Sequence, residues 1–230
     1  MSAIFRAGIT PSAMELMEID AITLATKMLD STAFPLTEGL AAHLIIEVDG
    51  NNMDVLMNEM EAISEVLANY EVGELYFADD AQQKNELWKI RRKANEAAVA
   101  AGYTIEEDTV VPRAELPKLI KGVKALGEAK GFKVVCYGHA GDGNLHIRIN
   151  HPTIKKSFES EEMKLILNEL FKLIHTLGGT ISGEHGIGLI QKSFMPVMFD
   201  AISMDLMRGI KKTLDPNGIL NAGKIFDQNN

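Results

Sequence analysis

The ten residues Tyr137-Gly-His-Ala-Gly-Asp-Gly-Asn-Leu-His146 decide how this chain is read. Asp142-Gly143 is a strong hairpin signal, because both central positions of a type I′ turn favour φ > 0, which Asp and Gly tolerate best. Lys133 to Tyr137 on one side and Leu145 to Ile149 on the other are apolar enough to be strands. With the turn centred on Asp142-Gly143, outward pairing matches Gly141 with Asn144, Ala140 with Leu145 and His139 with His146. The two imidazoles then face each other across the ladder, with Cβ atoms about 4.5 to 5.5 Å apart, close enough to reach one small ion.

Working outward, the pattern predicts a strand over 104–111, a helix over 114–130, the hairpin, a long helix over about 154–177 and a short extended piece at Thr180-Ile181. This is the β-α-β-β-α-β order of a ferredoxin-like unit. A similar unit precedes it: a strand at Ala42 to Val48, a helix over about 53–69, a strand at Leu75-Tyr-Phe77 and a helix capped by Asp79 or Asp80 that runs to about Ala101. Pro11 opens a helix through about Asp30 whose apolar face carries Met14, Met17, Ile22, Leu24, Met28 and Leu29, and Ser31 to Gly39 is a loop. The expected class is therefore α+β, with duplicated ferredoxin-like units at about 40–102 and 103–182 and an antiparallel sheet with helices packed on one face. A C-terminal helical segment, 183–230, follows. It opens on glycines 183, 186 and 188 and ends in Asp215-Pro-Asn-Gly-Ile-Leu-Asn-Ala-Gly-Lys224, too rich in turn residues to be helical.

At 230 residues the chain is long enough to bury a core without disulfides. The single cysteine, Cys136, falls in a strand pattern and reads as a small buried hydrophobe. A net charge of −9 argues against a sequence-independent grip on phosphate backbones, so nucleic acid is not an expected partner. No run reaches transmembrane length and no basic-plus-apolar leader is visible, which gives a cytoplasmic, soluble protein as the expectation.

Two histidines alone make a weak metal site. Gly183-Glu-His-Gly186 supplies a third candidate ligand, Glu184, giving two imidazoles and one carboxylate with open positions, a set that suits zinc, iron or manganese. The competing reading is a satisfied cross-strand histidine pair with Glu184 as a surface acid. His185, next to Glu184, is either a general acid or base or a histidine bonded to a carbonyl. Arg91 and Arg92 are one position apart on a helix, about 100° around its axis, so at most one points squarely at a site; Arg suits a carboxylate, although a solvated face is the commoner use. Asn144 can steady the hairpin. His43, His151 and His175 have no partner pattern.

Gly-His-Ala-Gly-Asp-Gly-Asn-Leu-His over 138–146, Gly-Glu-His-Gly-Ile-Gly over 183–188 with Lys192, and Asp-Pro-Asn-Gly-Ile-Leu-Asn over 215–221 together resemble the C-terminal part of the FAD-linked oxidases, which include the glycolate oxidase catalytic subunit, D-lactate dehydrogenase and D-2-hydroxyglutarate dehydrogenase. The likeness extends through Leu44 to Gly50, Leu87 to Arg91 and Asp108 to Pro112. It implies that His139, His146 and Glu184 bind a divalent metal (Zn, Mn or Fe), that His185 is the acid/base or a substrate contact, and that Arg91, not Arg92, holds the substrate carboxylate. It also implies FAD as cofactor, with Asn144 and Asn221 on the cofactor side, oxidation of a small 2-hydroxy acid of glycolate or D-lactate type to a 2-oxo acid, and an electron-transfer partner. Glu106 stands where the 2-hydroxyglutarate enzymes resemble one another in having lysine, which disfavours a dicarboxylate substrate. Ala222 and Glu18 also depart from the family pattern, away from the site. The flavin-binding domain expected before Ile9 is absent and no Gly-x-Gly-x-x-Gly replaces it, so the chain is expected to be a fragment needing that domain as partner. The alternative function is a stand-alone metal- or metabolite-binding regulatory module.

Overall fold

The computed structural model describes residues 1–30, 36–156 and 160–227. Its centre is one five-stranded antiparallel sheet of order β2-β1-β4-β5-β3, formed by β1 (Ala13–Glu18), β2 (Ala42–Glu47), β3 (Ile105–Val110), β4 (Lys133–His139) and β5 (Asn144–Asn150). Thr180 adds a single bridge to Val110 at the β3 edge. The α+β class with an antiparallel sheet is as expected, but the duplication is not: the second expected unit, 103–182, supplies β3, β4 and β5, whereas the first, 40–102, supplies only β2.

The N-terminal reading needs correction. Residues 13–18 form a strand, not the first turns of a helix, and the helix α2 (Ile19–Leu29) starts only after it, with the Glu18 side chain accepting from Asp20 N. A short helix, α1 (Ser2–Arg6), precedes β1. β1 is flanked by β2 and β4 and buried on both faces, and its two acids, Glu15 and Glu18, fall on opposite faces of the strand although their three-residue spacing would put them on one side of a helix, so the sequence reads as helical. The strand expected at Leu75-Tyr-Phe77 does not form; these side chains are exposed and the segment leads into α4 (Ala81–Ala100), capped by Asp80 at Gln83 N. Residues 31–35 of the expected Ser31 to Gly39 loop and residues 157–159 lie outside the described residues; the helix expected from about residue 154 is not formed at 154–156, and α6 spans Glu161–Thr176.

The hairpin forms with a wider connection than expected. Tyr137, not His139, is opposite His146, so residues 140–143 make a four-residue turn in which Gly143 N donates to His139 O. A two-residue shift preserves the face of every side chain, whereas a one-residue slip would reverse it. His139 and His146 therefore stay on the same face as diagonal neighbours, with ring centroids 6.1 Å apart.

One face of the sheet is dry. Leu145, Ile147 and Ile149 of β5 pack with Leu16, Val134 and Cys136 beneath α5 (Leu116–Lys130) and α6, and Phe194 and Met198 join the same core. Phe194 meets Phe171 at 4.9 Å between ring centroids, which ties the segment after residue 183 to this core. Burial pushes the Cys136 thiol pKa up, consistent with an inert packing residue. Helices are not confined to one face: Ala21, Ile22 and Ala25 of α2 and Ile90, Ala94, Ala97 and Ala98 of α4 pack against Met17, Val135 and Tyr137 on the other side. Small alanines let α2 and α4 approach closely and leave the distal half of that face open. The remaining helices, α3 (Met53–Leu67), α7 (Met195–Met198) and α8 (Ala201–Leu214), lie beyond the sheet, and Ile63 of α3 reaches its core.

Candidate functional site

The open half of the second face gathers polar side chains from β1, β3, β4, β5 and α4. Strand alternation puts His146 and Arg148 on this face of β5, and pairing with β3 sets Asp108 opposite His146 and Glu106 opposite Arg148. On the β1 side, Glu15 is opposite His139.

His139 is held from both sides. Its Nδ1 lies 2.7 Å from Glu15 Oε1 and its Nε2 3.1 Å from Glu184 Oε1. A carboxylate only accepts, so the Nδ1 proton donates to Glu15 and the Nε2 of a neutral ring presents its lone pair to Glu184. Two acceptors at 3.1 Å repel unless a proton or a cation lies between them. Ligand atoms held at 2.0–2.2 Å around a tetrahedral ion are about 3.4 Å apart, close to the spacing found. His139, His146 and Glu184 each offer one ligand atom, all within 4.8 Å of one another; Glu106, His146 and His185 form an overlapping second set. Nδ1 of the buried His146 is 3.3 Å from Glu106 Oε1, and among the described residues it has no well-aligned hydrogen bond.

The charges around these side chains are arranged in pairs. Glu106 Oε2 binds Arg148 Nη2 at 2.7 Å, and Arg148 also contacts Asn95 Oδ1 and the Tyr137 hydroxyl. Burial acts to raise the Glu106 pKa, but the His146 contact and the Arg148 charge outweigh it and hold the carboxyl below its ordinary range. Arg91 Nε binds Glu15 Oε2 at 2.8 Å while its guanidinium lies 5.3 Å from the Tyr137 ring centroid. Four carboxylates, of Glu15, Glu106, Asp108 and Glu184, face two guanidiniums, so with neutral histidines the site carries two uncompensated negative charges.

Asp108 organises the loop that brings Glu184 and His185 in. Its buried Oδ2 accepts from the backbone N–H groups of Gly183, Glu184 and His185 at 3.1, 2.7 and 2.8 Å, and its Oδ1 accepts from Asn144 Nδ2 at 2.6 Å. Burial acts to raise its pKa, and the donors from His185, Glu184 and Asn144 more than reverse this, leaving it lowered. Gly183 is required here: a Cβ would sit 2.0 Å from Asn144 Nδ2.

Of the site residues expected from sequence, His139, His146, Glu184 and His185 come together, the His185 ring 5.6 Å from that of His146. Arg91 joins them through Glu15, while Arg92 is exposed. Asn144 is buried in the scaffold, with its Oδ1 unpartnered. Asn221 is not part of this cluster; it lies exposed in the tail at φ 48°, accepting from Lys224 Nζ. Sequence reading missed Glu15, Tyr137, Asp108 and Arg148 as site residues. Alternation offered a signal for Arg148, two residues from His146, and Tyr137, two from His139, but Glu15 was hidden by the helical reading of 13–18.

Residues 1–225 match the family model for FAD linked oxidases, C-terminal domain. The chain is 32% identical over 225 residues to D-lactate dehydrogenase of Anaerostipes hadrus, covering 96% of this chain and 47% of that protein. It is 30% identical over 231 residues to glycolate oxidase subunit GlcD of Bacillus subtilis, covering 98% and 47%, and 31% identical over 219 residues to mitochondrial D-2-hydroxyglutarate dehydrogenase of Danio rerio, covering 95% and 40%. The chain thus spans about half the length of these relatives. In fold it is similar to 4-ethylphenol oxidase from Gulosibacter chungangensis, with a TM-score of 0.64 at 14% identity over 93% of this chain and 47% of the other. The chain belongs to the family of FAD linked oxidase C-terminal domains.

Proposed function

We propose that this chain is the substrate- and metal-binding part of an FAD-dependent 2-hydroxyacid dehydrogenase or oxidase that converts glycolate or D-lactate to the 2-oxo acid. The observation that carries this reading is His139 Nε2 facing Glu184 Oε1 at 3.1 Å with Nδ1 already committed to Glu15. A divalent cation fits there on chemistry and on charge: two imidazoles and a carboxylate are a borderline donor set, and the site's two excess negative charges are neutralised by one such ion. The names of the relatives, D-lactate dehydrogenase and glycolate oxidase subunit, support the substrate class.

When bound, the flavin supplies a hydride acceptor and the divalent ion a Lewis acid for the α-hydroxyl. The chain's own residues bind and orient. Arg91 keeps its terminal nitrogens for a forked grip on the substrate carboxylate while Nε stays anchored on Glu15. His185, half-exposed beside His146, takes the hydroxyl proton at a ring nitrogen. Glu106 and Arg148 neutralise one another at the site's edge, so Arg148 is not left free for a second substrate carboxylate.

In this reading the flavin is held mainly by a partner domain, with the exposed Asn221 available to it and the buried Asn144 acting through Asp108. Ile202, Leu206, Ile210 and Leu214 form an exposed apolar stripe at every fourth position of α8, and this supports α8 as the docking face. Among the described residues no helix is long and apolar enough to cross a membrane. The test is dye reduction by this chain combined with the flavin half of a relative, over a panel of 2-hydroxy acids. Turnover of glycolate or D-lactate is expected, and no turnover of any member would refute the reading.

A further inference from the structure

We infer that Glu15 is a positioning residue that couples the two halves of the site: one carboxylate oxygen holds His139 ready for a divalent cation and the other aims Arg91. The inference rests on His139, His146 and Glu184 being cation ligands. Glu15 sits in the middle of β1, 5% exposed, between the strand that carries His139 and the helix that carries Arg91. Its two oxygens are divided, Oε1 to His139 Nδ1 at 2.7 Å and Oε2 to Arg91 Nε at 2.8 Å, both charge-assisted and both drawn from groups more than 70 residues away in sequence.

Each bond does something its partner cannot do alone. The bond to Nδ1 fixes the tautomer and ring orientation that turn the Nε2 lone pair toward Glu184, and outer partners of this kind are worth about 10- to 100-fold in metal affinity. The bond to Nε fixes the guanidinium over Tyr137, so its terminal nitrogens are aimed before a substrate arrives. Since one rigid carboxylate makes both bonds, a shift of His139 on taking up an ion is transmitted to Arg91. A residue that only neutralised the half-buried Arg91 charge would leave cation affinity unchanged when replaced.

The test uses the full 230-residue chain, with Zn²⁺ affinity read by competition against a chromophoric chelator and the Arg91 Nε–H resonance followed by NMR. Glu15→Ala should weaken Zn²⁺ binding by about 10- to 100-fold. Glu15→Gln should recover most of that loss, because its amide oxygen still accepts from His139 Nδ1, but its NH2 then opposes the Arg91 Nε–H donor to donor. Zn²⁺ should therefore shift the Arg91 resonance in the wild type and not in Glu15→Gln. Leu16→Ala, which loosens the same strand from its dry face, should keep wild-type affinity and controls for general destabilisation. Wild-type Zn²⁺ affinity in Glu15→Ala, alongside a loss in His146→Ala, would overturn the inference and leave the ligand assignment standing. An Arg91 resonance that ignores Zn²⁺ in the wild type would overturn the coupling. If the wild type takes up no Zn²⁺, the ligand assignment falls and this inference with it. Should Glu15→Ala fail to fold, Glu15→Gln and the Arg91 resonance decide.

Discussion

Strand β5 has two faces that do different work. Leu145, Ile147 and Ile149 point into the dry core under α5 and α6, where their contacts are apolar and set by size and shape. His146 and Arg148, the residues between them, point to the other side and meet Asp108, Glu106, Tyr137 and Asn95. The same five residues thus hold the sheet together and present the chemistry. The difference teaches that stability and function are separable here by residue parity: one face should respond to mutation in unfolding free energy, the other in cation affinity.

The largest effect should come from setting one face against the other. Ile147→Ala should cost about 2–5 kcal/mol in denaturant unfolding, through lost burial and a residual cavity, while the folded fraction keeps its affinity for Zn²⁺. His146→Ala should do the reverse, with unfolding changed little and bound metal lost.

A buried acid on the dry face gives the next test. Glu107 is 1% exposed and bonded to Gln191 Nε2 at 2.8 Å, and burial pushes its pKa up to about 7. A carboxyl whose folded pKa is raised binds its proton more tightly in the native state, so its contribution is fully present below the unfolded value, about 4.3, and is lost as pH rises towards 7. Glu107→Gln should flatten the fall in stability between pH 5 and 8 by up to roughly 3 kcal/mol, as read by unfolding at a series of pH values. Parallel curves for the two proteins would contradict this.

Asp108→Asn sharpens the comparison on the polar face. It removes the charge that gathers three backbone N–H groups, so the 182–185 loop should loosen at a cost of about 1–3 kcal/mol, and Zn²⁺ affinity should fall with it. Calorimetric titration of Zn²⁺ checks the second effect. The smallest change belongs to neither face: Lys130 and Glu169 form an exposed pair between α5 and α6, and Lys130→Ala should alter stability by less than about 0.5 kcal/mol.

The legibility of the molecule in its sequence follows the same division. The hairpin was readable because Asp142-Gly143 and the apolar flanks are local signals, and its site survived a two-residue register difference because parity was kept. The proposed ligands His139, His146 and Glu184 were readable as residue types around glycine-rich turns. Glu15 and Asp108 were not, because their roles come from contacts more than 70 residues away in the chain, and only the packing of β1 against β4 and of the 182–185 loop against β3 creates them. The helical reading of 13–18 failed for a related reason: Glu15 and Glu18 are buried on opposite faces of a central strand, and their spacing of three imitates the polar side of a helix. Leu75-Tyr-Phe77 failed the other way, an apolar triplet with strand-like composition that finds no place in the sheet.

The central claim is that His139, His146 and Glu184 seat one divalent cation. Elemental analysis of the wild type beside His146→Ala and Glu184→Gln, each confirmed as folded by circular dichroism, tests it most directly. The expected result is about one ion per wild-type chain, as one complete ligand set would hold, and almost none in either variant; equal metal content in all three would contradict the account.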